Sequence, residues 1–130
     1  MISLDTNYLL RFLTNDIKPQ AQTAREVILS TKEVCISTLA IAETVYFLRN
    51  HYKKDKKIVC RELSLLIKQP NIKVKNYVSL TLRLYNRENI SIYDSFFIAE
   101  ALEEGLEIKT FDQKLLKVFL KYRNNPNVLS

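Results

Sequence analysis

Ile2-Ser3-Leu4-Asp5-Thr6-Asn7-Tyr8-Leu9-Leu10-Arg11-Phe12-Leu13-Thr14 reads as a strand, a single acidic residue and a helix in immediate succession. Ile2 to Leu4 is a short apolar strand that ends at Asp5. Thr6 to Thr14 carries Leu9, Leu10, Phe12 and Leu13 at helical spacing. The succession recurs downstream. Val34-Cys35-Ile36-Ser37 reads as a buried strand, and Thr38 can cap a long helix to about Tyr52. Between the two, a helix runs from Pro19 to about Ser30 with Ala21, Ala24 and Ile28 on one face. Asp55 caps a further helix, whose Val59, Leu63, Leu66 and Ile67 face inward, and which ends before Pro70. Ile72 to Val74 is a third strand. Tyr77 to Glu88 and Asp94 to Gly105 read as helices, the latter closed by a glycine C-cap. Glu107 to Phe111 reads as a strand, Asp112 starts a helix to about Tyr122, and Asn127 to Leu129 reads as a last short strand. Strands alternating with helices predict an α/β fold with a parallel sheet covered on both faces. Ligands of such sheets bind outside the carboxyl ends of the strands.

The chain has 130 residues and no internal repeat or linker, which predicts one domain over 1–130. A chain of that length buries roughly two-thirds of its unfolded surface and needs no disulfide or metal to fold. Hydrophobic residues make up 47% and charged residues 26%, which excludes disordered and collagen-like classes. No window approaches a membrane span, since Glu43 cuts the best candidate, Thr38 to Leu48. Asp5 falls where the apolar region of a signal peptide would build, so the expectation is a cytoplasmic protein. Cys35 and Cys60 then read as free thiols in the core. Twenty Lys and Arg against fourteen Asp and Glu give a net charge of +6, which suits a polyanion partner and also suits simple solubility.

Three aspartates stand where an open α/β sheet puts its site: Asp5 after the first strand, Asp94 at the mouth of a helix, and Asp112 after Glu107 to Phe111. Each, taken singly, reads as a helix cap ahead of a ligand. Glu43 is a fourth. Its helical neighbours Leu39, Tyr46 and Phe47 put it in or beside an apolar stripe, where a carboxylate is rare unless paired or bound to metal. The bland alternative is a boundary glutamate whose head reaches solvent. Four carboxylates in one place need a counter-charge, and an all-oxygen donor set selects Mg²⁺ or Mn²⁺. Such an ion activates water and steadies the charge of an in-line displacement at phosphorus, so phosphodiester hydrolysis fits. Competing chemistries lack their residues: His51 is the only histidine, and one glycine rules out phosphate-binding glycine loops. With four acids set aside, ten remain against twenty bases. Lys53, Lys54, Lys56 and Lys57 cluster near Arg49 and Arg61, as phosphate contacts or as a solvated helix junction.

These residues resemble a known family. The opening Met1 to Leu13 with its Asp5-Thr6-Asn7, then Ala42-Glu43, then Asp94-Ser-Phe-Phe-Ile-Ala99-Glu-Ala101, then Thr110-Phe111-Asp112-Gln-Lys-Leu115, are similar in order and spacing to PIN-domain ribonucleases, particularly the VapC-type toxins of bacterial toxin–antitoxin pairs. The resemblance implies a three-layer α/β/α fold with a central parallel sheet flanked by helices. It implies Mg²⁺- or Mn²⁺-dependent endoribonuclease activity on tRNA, rRNA or mRNA, a homodimer, and a small antitoxin that occupies the active-site groove. By motif position Asp5, Glu43, Asp94 and Asp112 carry over as the acidic quartet, with Asp5 and Asp94 the most direct metal ligands. Asn7 and Thr110 carry over as groups that orient the carboxylates. Some relatives add an acid just past the position of Asp112, where this chain has Gln113 and Lys114.

Two rival readings stand beside it. An aspartyl-nucleophile phosphatase also places an Asp after its first strand, but wants a second two residues on, where this chain has Asn7. A non-catalytic RNA- or partner-binding α/β domain would keep the acids as caps alone. The aromatics do not favour that module, since Tyr77, Tyr85, Phe96 and Phe97 fall at helical spacings and read as core.

Overall fold

The computed structural model describes residues 1–129 and divides into two compact units, Met1–Lys75 and a second from Asn76 onward. In the first unit the order is β1 (Ile2–Leu4), α1 (Thr6–Thr14), α2 (Lys18–Ser30), β2 (Val34–Ile36), α3 (Thr38–Asn50), α4 (Lys56–Ile67) and β3 (Ile72–Lys73). The three strands form one parallel sheet in the order β1-β2-β3, with Ile2 opposite Val34, Leu4 opposite Ile36 and Val34 opposite Ile72. Parallel neighbours need crossover connections, and the helix pairs α1–α2 and α3–α4 supply them. β2 lies in the middle, and its Val34 and Ile36 are buried. The three strands expected within this unit are therefore present, as is the α/β class.

Local chemistry sets the helix ends. Asp5 caps α1 and Asp55 caps α4, each through its carboxylate. α3 is capped by Ser37, one residue before the expected Thr38, because the Ser37 hydroxyl accepts from the Ala40 N–H at 3.1 Å. Pro19 sits in the first turn of α2, where its missing N–H costs nothing. Ala21, Ala24 and Ile28 are buried as their spacing predicts. Both cysteines are free thiols. Burial pushes the Cys60 thiol up to about 11, so it stays protonated as a core residue.

The second unit holds α5 (Val78–Arg87), α6 (Ile92–Glu104), α7 (Gln113–Asn124) and a 3₁₀ turn, Pro126–Leu129. Its core gathers Leu84, Ile98, Ala101, Ile108, Leu115, Val118, Phe119, Tyr122 and Leu129. Truncating the fully buried Phe119 to alanine would cost about 3–5 kcal/mol. Two expected strands are absent. Residues 107–111 have no ladder partner among the described residues, and only Ile108 of that stretch is buried. The segment is tied down by one apolar anchor instead of by strand hydrogen bonds. The expected strand at Asn127 to Leu129 is a 3₁₀ turn, because Pro126 fixes a helical φ and Val128 N–H donates to the Asn125 carbonyl at 3.1 Å. Leu129 enters the core from that turn. Tyr77, Tyr85 and Phe96 are core residues as expected, while Phe97 is exposed, because it falls on the outer face of α6.

Candidate functional site

Because β1 and β2 run parallel, their carboxyl ends lie side by side, and the residues that follow them share one edge. A cavity of about 310 Å³ opens there, lined by Ser3, Asp5 and Thr6 from the β1 side and by Ser37, Leu39 and Glu43 from the β2 side. Asp5 and Glu43, 38 positions apart in sequence, are thus brought to one cavity by a single strand pairing. The Asp5 cap engages Oδ1, which accepts from the Tyr8 N–H at 2.9 Å. That bond fixes the carboxylate at the start of α1 and leaves Oδ2 for a ligand. Thr6 Oγ1 donates to Glu43 Oε1 at 3.3 Å and so ties the two halves of the cavity together. Thr6 is a further residue of the site, beyond the four acids, Asn7 and Thr110. Its signal was its position between the strand-terminal acid and the helix.

Glu43 does not lie in a buried stripe. Leu39, Tyr46 and Phe47 around it are 64%, 48% and 40% exposed. α3 buries instead Ile41, Ala42, Thr44, Val45 and Leu48. The helix is apolar on both sides, and packing chose the other one. Glu43 is half-buried at the cavity wall, with Thr6 as partner.

The other two acids belong to the second unit. Asp94 does not open α6. Ser91 is the cap, its Oγ accepting from the Asp94 N–H at 3.0 Å, and Asp94 is the acidic residue of the first turn. There its charge meets the positive end of the helix dipole. Asp112 does cap α7, with Oδ1 accepting from the Leu115 N–H at 3.1 Å. Its own N–H donates to Thr110 Oγ1 at 3.0 Å, so Thr110 orients the turn that carries Asp112. Asn7 is exposed on α1 and lines a second cavity together with Asp5. Among the described residues, no group of three or more His, Cys, Asp or Glu side chains is placed to hold a metal ion. The donors at the Asp5–Glu43 cavity are carboxylates and hydroxyls without nitrogen or sulfur, a set that fits a hard divalent cation.

A second polar assembly holds the far end of α1. Asp16 Oδ1 accepts from Thr14 Oγ1 at 2.8 Å, and Oδ2 accepts from the Tyr52 hydroxyl at 2.8 Å. Arg11 Nη1 completes it, donating to Asp16 at 2.7 Å and to the Tyr52 oxygen at 3.1 Å. The bonds from Thr14 and Tyr52, then the Arg11 guanidinium, hold the Asp16 carboxyl at about 2. The lysine cluster is partly committed to structure. Lys54 pairs with Glu62 at 3.4 Å, and Arg49 donates to the Lys54 carbonyl at 2.8 Å, whereas Lys53 and Lys57 are exposed.

The family model described as PIN domain matches residues 2–119. Among curated proteins none matches the chain.

Proposed function

The chain belongs to the PIN domain family, whose members are in general metal-dependent nucleases with a three-layer α/β/α fold, and on that premise we propose that it is an endoribonuclease that hydrolyses RNA phosphodiester bonds. The observation that carries the reading is that Asp5 and Glu43 line one cavity beyond the strand ends whose polar side chains offer oxygen donors alone. In this reading residues 1–130 work as one nuclease domain. The family match running through both units supports that. Asp5 and Asp94 would be the most direct ligands of a Mg²⁺ or Mn²⁺ ion, with Glu43 and Asp112 completing the set. When bound, the ion supplies Lewis-acid activation of water and neutralises charge building on the phosphate.

The chain's own groups do the rest. A carboxylate of the quartet takes the proton of the attacking water as the new P–O bond forms, and the old P–O bond breaks with its electron pair on the departing ribose oxygen, which a nearby Lys or Arg steadies. Thr6 holds the Glu43 head and Thr110 holds the turn of Asp112; Asn7, which lines a cavity with Asp5, would orient that carboxylate once the ion is bound. Surface lysines such as Lys53 and Lys57 take flanking phosphates. The sequence similarity to VapC-type chains further supports a toxin of a toxin–antitoxin pair, cytoplasmic, homodimeric and held by a small antitoxin. The exposed Leu39, Tyr46 and Phe47 beside Glu43 support a protein partner at that edge. No helix among the described residues is long and apolar enough to cross a membrane.

Incubating the pure protein with tRNA, rRNA and mRNA, in Mg²⁺ or Mn²⁺ and in EDTA, tests the activity. Discrete cuts with metal and none in EDTA are expected. Cleavage that persists in EDTA, or no cleavage of any RNA with either ion, overturns it.

A further inference from the structure

Asp5 lines two cavities. One is the small oxygen-lined cavity it shares with Glu43. The other, of about 650 Å³, lies on its far side between α1 and α2, lined by Asn7, Tyr8, Arg11, Gln20 and Thr23 among others. A volume of that size suits a small-molecule-sized group such as a nucleotide. Its chemistry is specific. Tyr8 lines the cavity as an aromatic residue that is 37% exposed. Arg11 is a cation held in place before any ligand arrives, since Nη1 is fixed by Asp16 and Tyr52 and Nε donates to Gln20 Oε1 at 3.0 Å. That last bond also orients Gln20: with Oε1 occupied by Arg11, its amide N–H groups are the donors left for a ligand. Thr23 Oγ1 donates to the Pro19 carbonyl at 3.0 Å, so its oxygen is left to accept. An exposed aromatic residue, a guanidinium whose charge Asp16 balances but whose Nη2 is left to donate, and oriented amide and hydroxyl groups are what a nucleotide needs for stacking and edge recognition.

We propose that the Tyr8–Arg11–Gln20 cavity binds one unpaired nucleotide of the RNA, next to the phosphate presented at Asp5. The inference rests on the nuclease reading for the identity of the ligand, and it adds a residue that positions the base. Register favours it. Tyr8 donates its N–H to Asp5 Oδ1 at 2.9 Å, so the ring and the carboxylate sit on one helical turn. A base stacked on Tyr8 therefore holds its neighbouring phosphate at a fixed offset from Asp5. Tyr8 acts as a positioning residue through the base, without touching the reacting phosphate.

The test measures dissociation constants of four labelled hexaribonucleotides, oligo-A, -C, -G and -U, by fluorescence anisotropy in EDTA. Wild type, Tyr8→Ala and Tyr8→Phe are compared, each verified as folded by circular dichroism. Loss of the ring should weaken at least one oligonucleotide about tenfold, and Tyr8→Phe should stay within about twofold of wild type. Wild-type binding of none of the four, or Tyr8→Ala binding all within about twofold of wild type, overturns the proposal. So does an equal loss in Tyr8→Phe, which would assign the effect to the hydroxyl. Cleavage of mixed RNA by wild type in Mn²⁺ is run in parallel. Cleavage with unchanged Tyr8→Ala affinity sinks the pocket alone. No cleavage with a tenfold affinity loss sinks the nuclease reading and leaves an RNA-binding pocket.

Discussion

Asp5 holds two positions at once, cap of α1 and wall of the candidate site, and two substitutions separate them. Asparagine caps as well as aspartate but carries no charge. Asp5→Asn should therefore keep the melting temperature, or raise it through relief of like-charge repulsion, while RNA cleavage is abolished. Asp5→Ala should abolish cleavage and also lose about 1 kcal/mol of stability. Calorimetry beside an RNase assay reads both, and full activity in the asparagine variant would reduce Asp5 to a cap. Asp16 gives a pH signature. Its carboxyl sits at about 2 when folded against an ordinary 3.8, so it favours the folded state above pH 4 and loses that contribution as pH falls from about 4 to 2. Carboxyl-carbon NMR should show Asp16 titrating near 2, and moving toward 3.8 in Tyr52→Phe, which removes one of its two main donors. A wild-type titration at 3.8 would dissolve the assembly around Arg11.

At the level of elements, the strand–acid–helix reading of residues 2–14 was legible because each part carries its own signal: an apolar triplet, a capping side chain and a helical period. The ends of α3 and α6 were less so. Ser37 stands before Thr38, and Ser91 stands three residues before Asp94, so two adequate caps competed at each end. The serine three residues ahead of an acid was the better signal at α6. The strand expected at 107–111 failed for a non-local reason, since alternation makes a chain extended but only a neighbouring backbone makes it a strand. The side of α3 that packs was equally hidden, because both sides are apolar and the choice lies with the partners. Gly105 is the clearest success, ending α6 at φ 66. No atom lies within 4 Å of an added Cβ there, so Gly105→Ala carries a backbone penalty alone, about 1 kcal/mol. Denaturant unfolding should find that loss, and an unchanged midpoint would show that the turn relaxes.

Over the whole molecule the charges divide into two classes. Of fourteen acids, Asp5, Asp94 and Asp112 stand at a strand end or a helix start and Glu43 stands within α3, all four in contexts similar to PIN chains, and the chain sets twenty bases against the fourteen. Two of the four, Asp5 and Glu43, share a cavity in the first unit, and two, Asp94 and Asp112, are fixed by helix starts in the second. The sequence made the four visible through their local contexts, but only the parallel pairing of β1 with β2 accounts for why Asp5 and Glu43 meet. The central claim is that all four carboxylates hold one kind of ion. Mn²⁺ affinity, measured by titration calorimetry for wild type and for Asp5→Asn, Glu43→Gln, Asp94→Asn and Asp112→Asn, tests it most directly. Each substitution should weaken binding at least about tenfold, as loss of a charged oxygen ligand does. Wild-type affinity in the Asp94 and Asp112 variants would contradict the claim and confine any metal to the Asp5–Glu43 cavity.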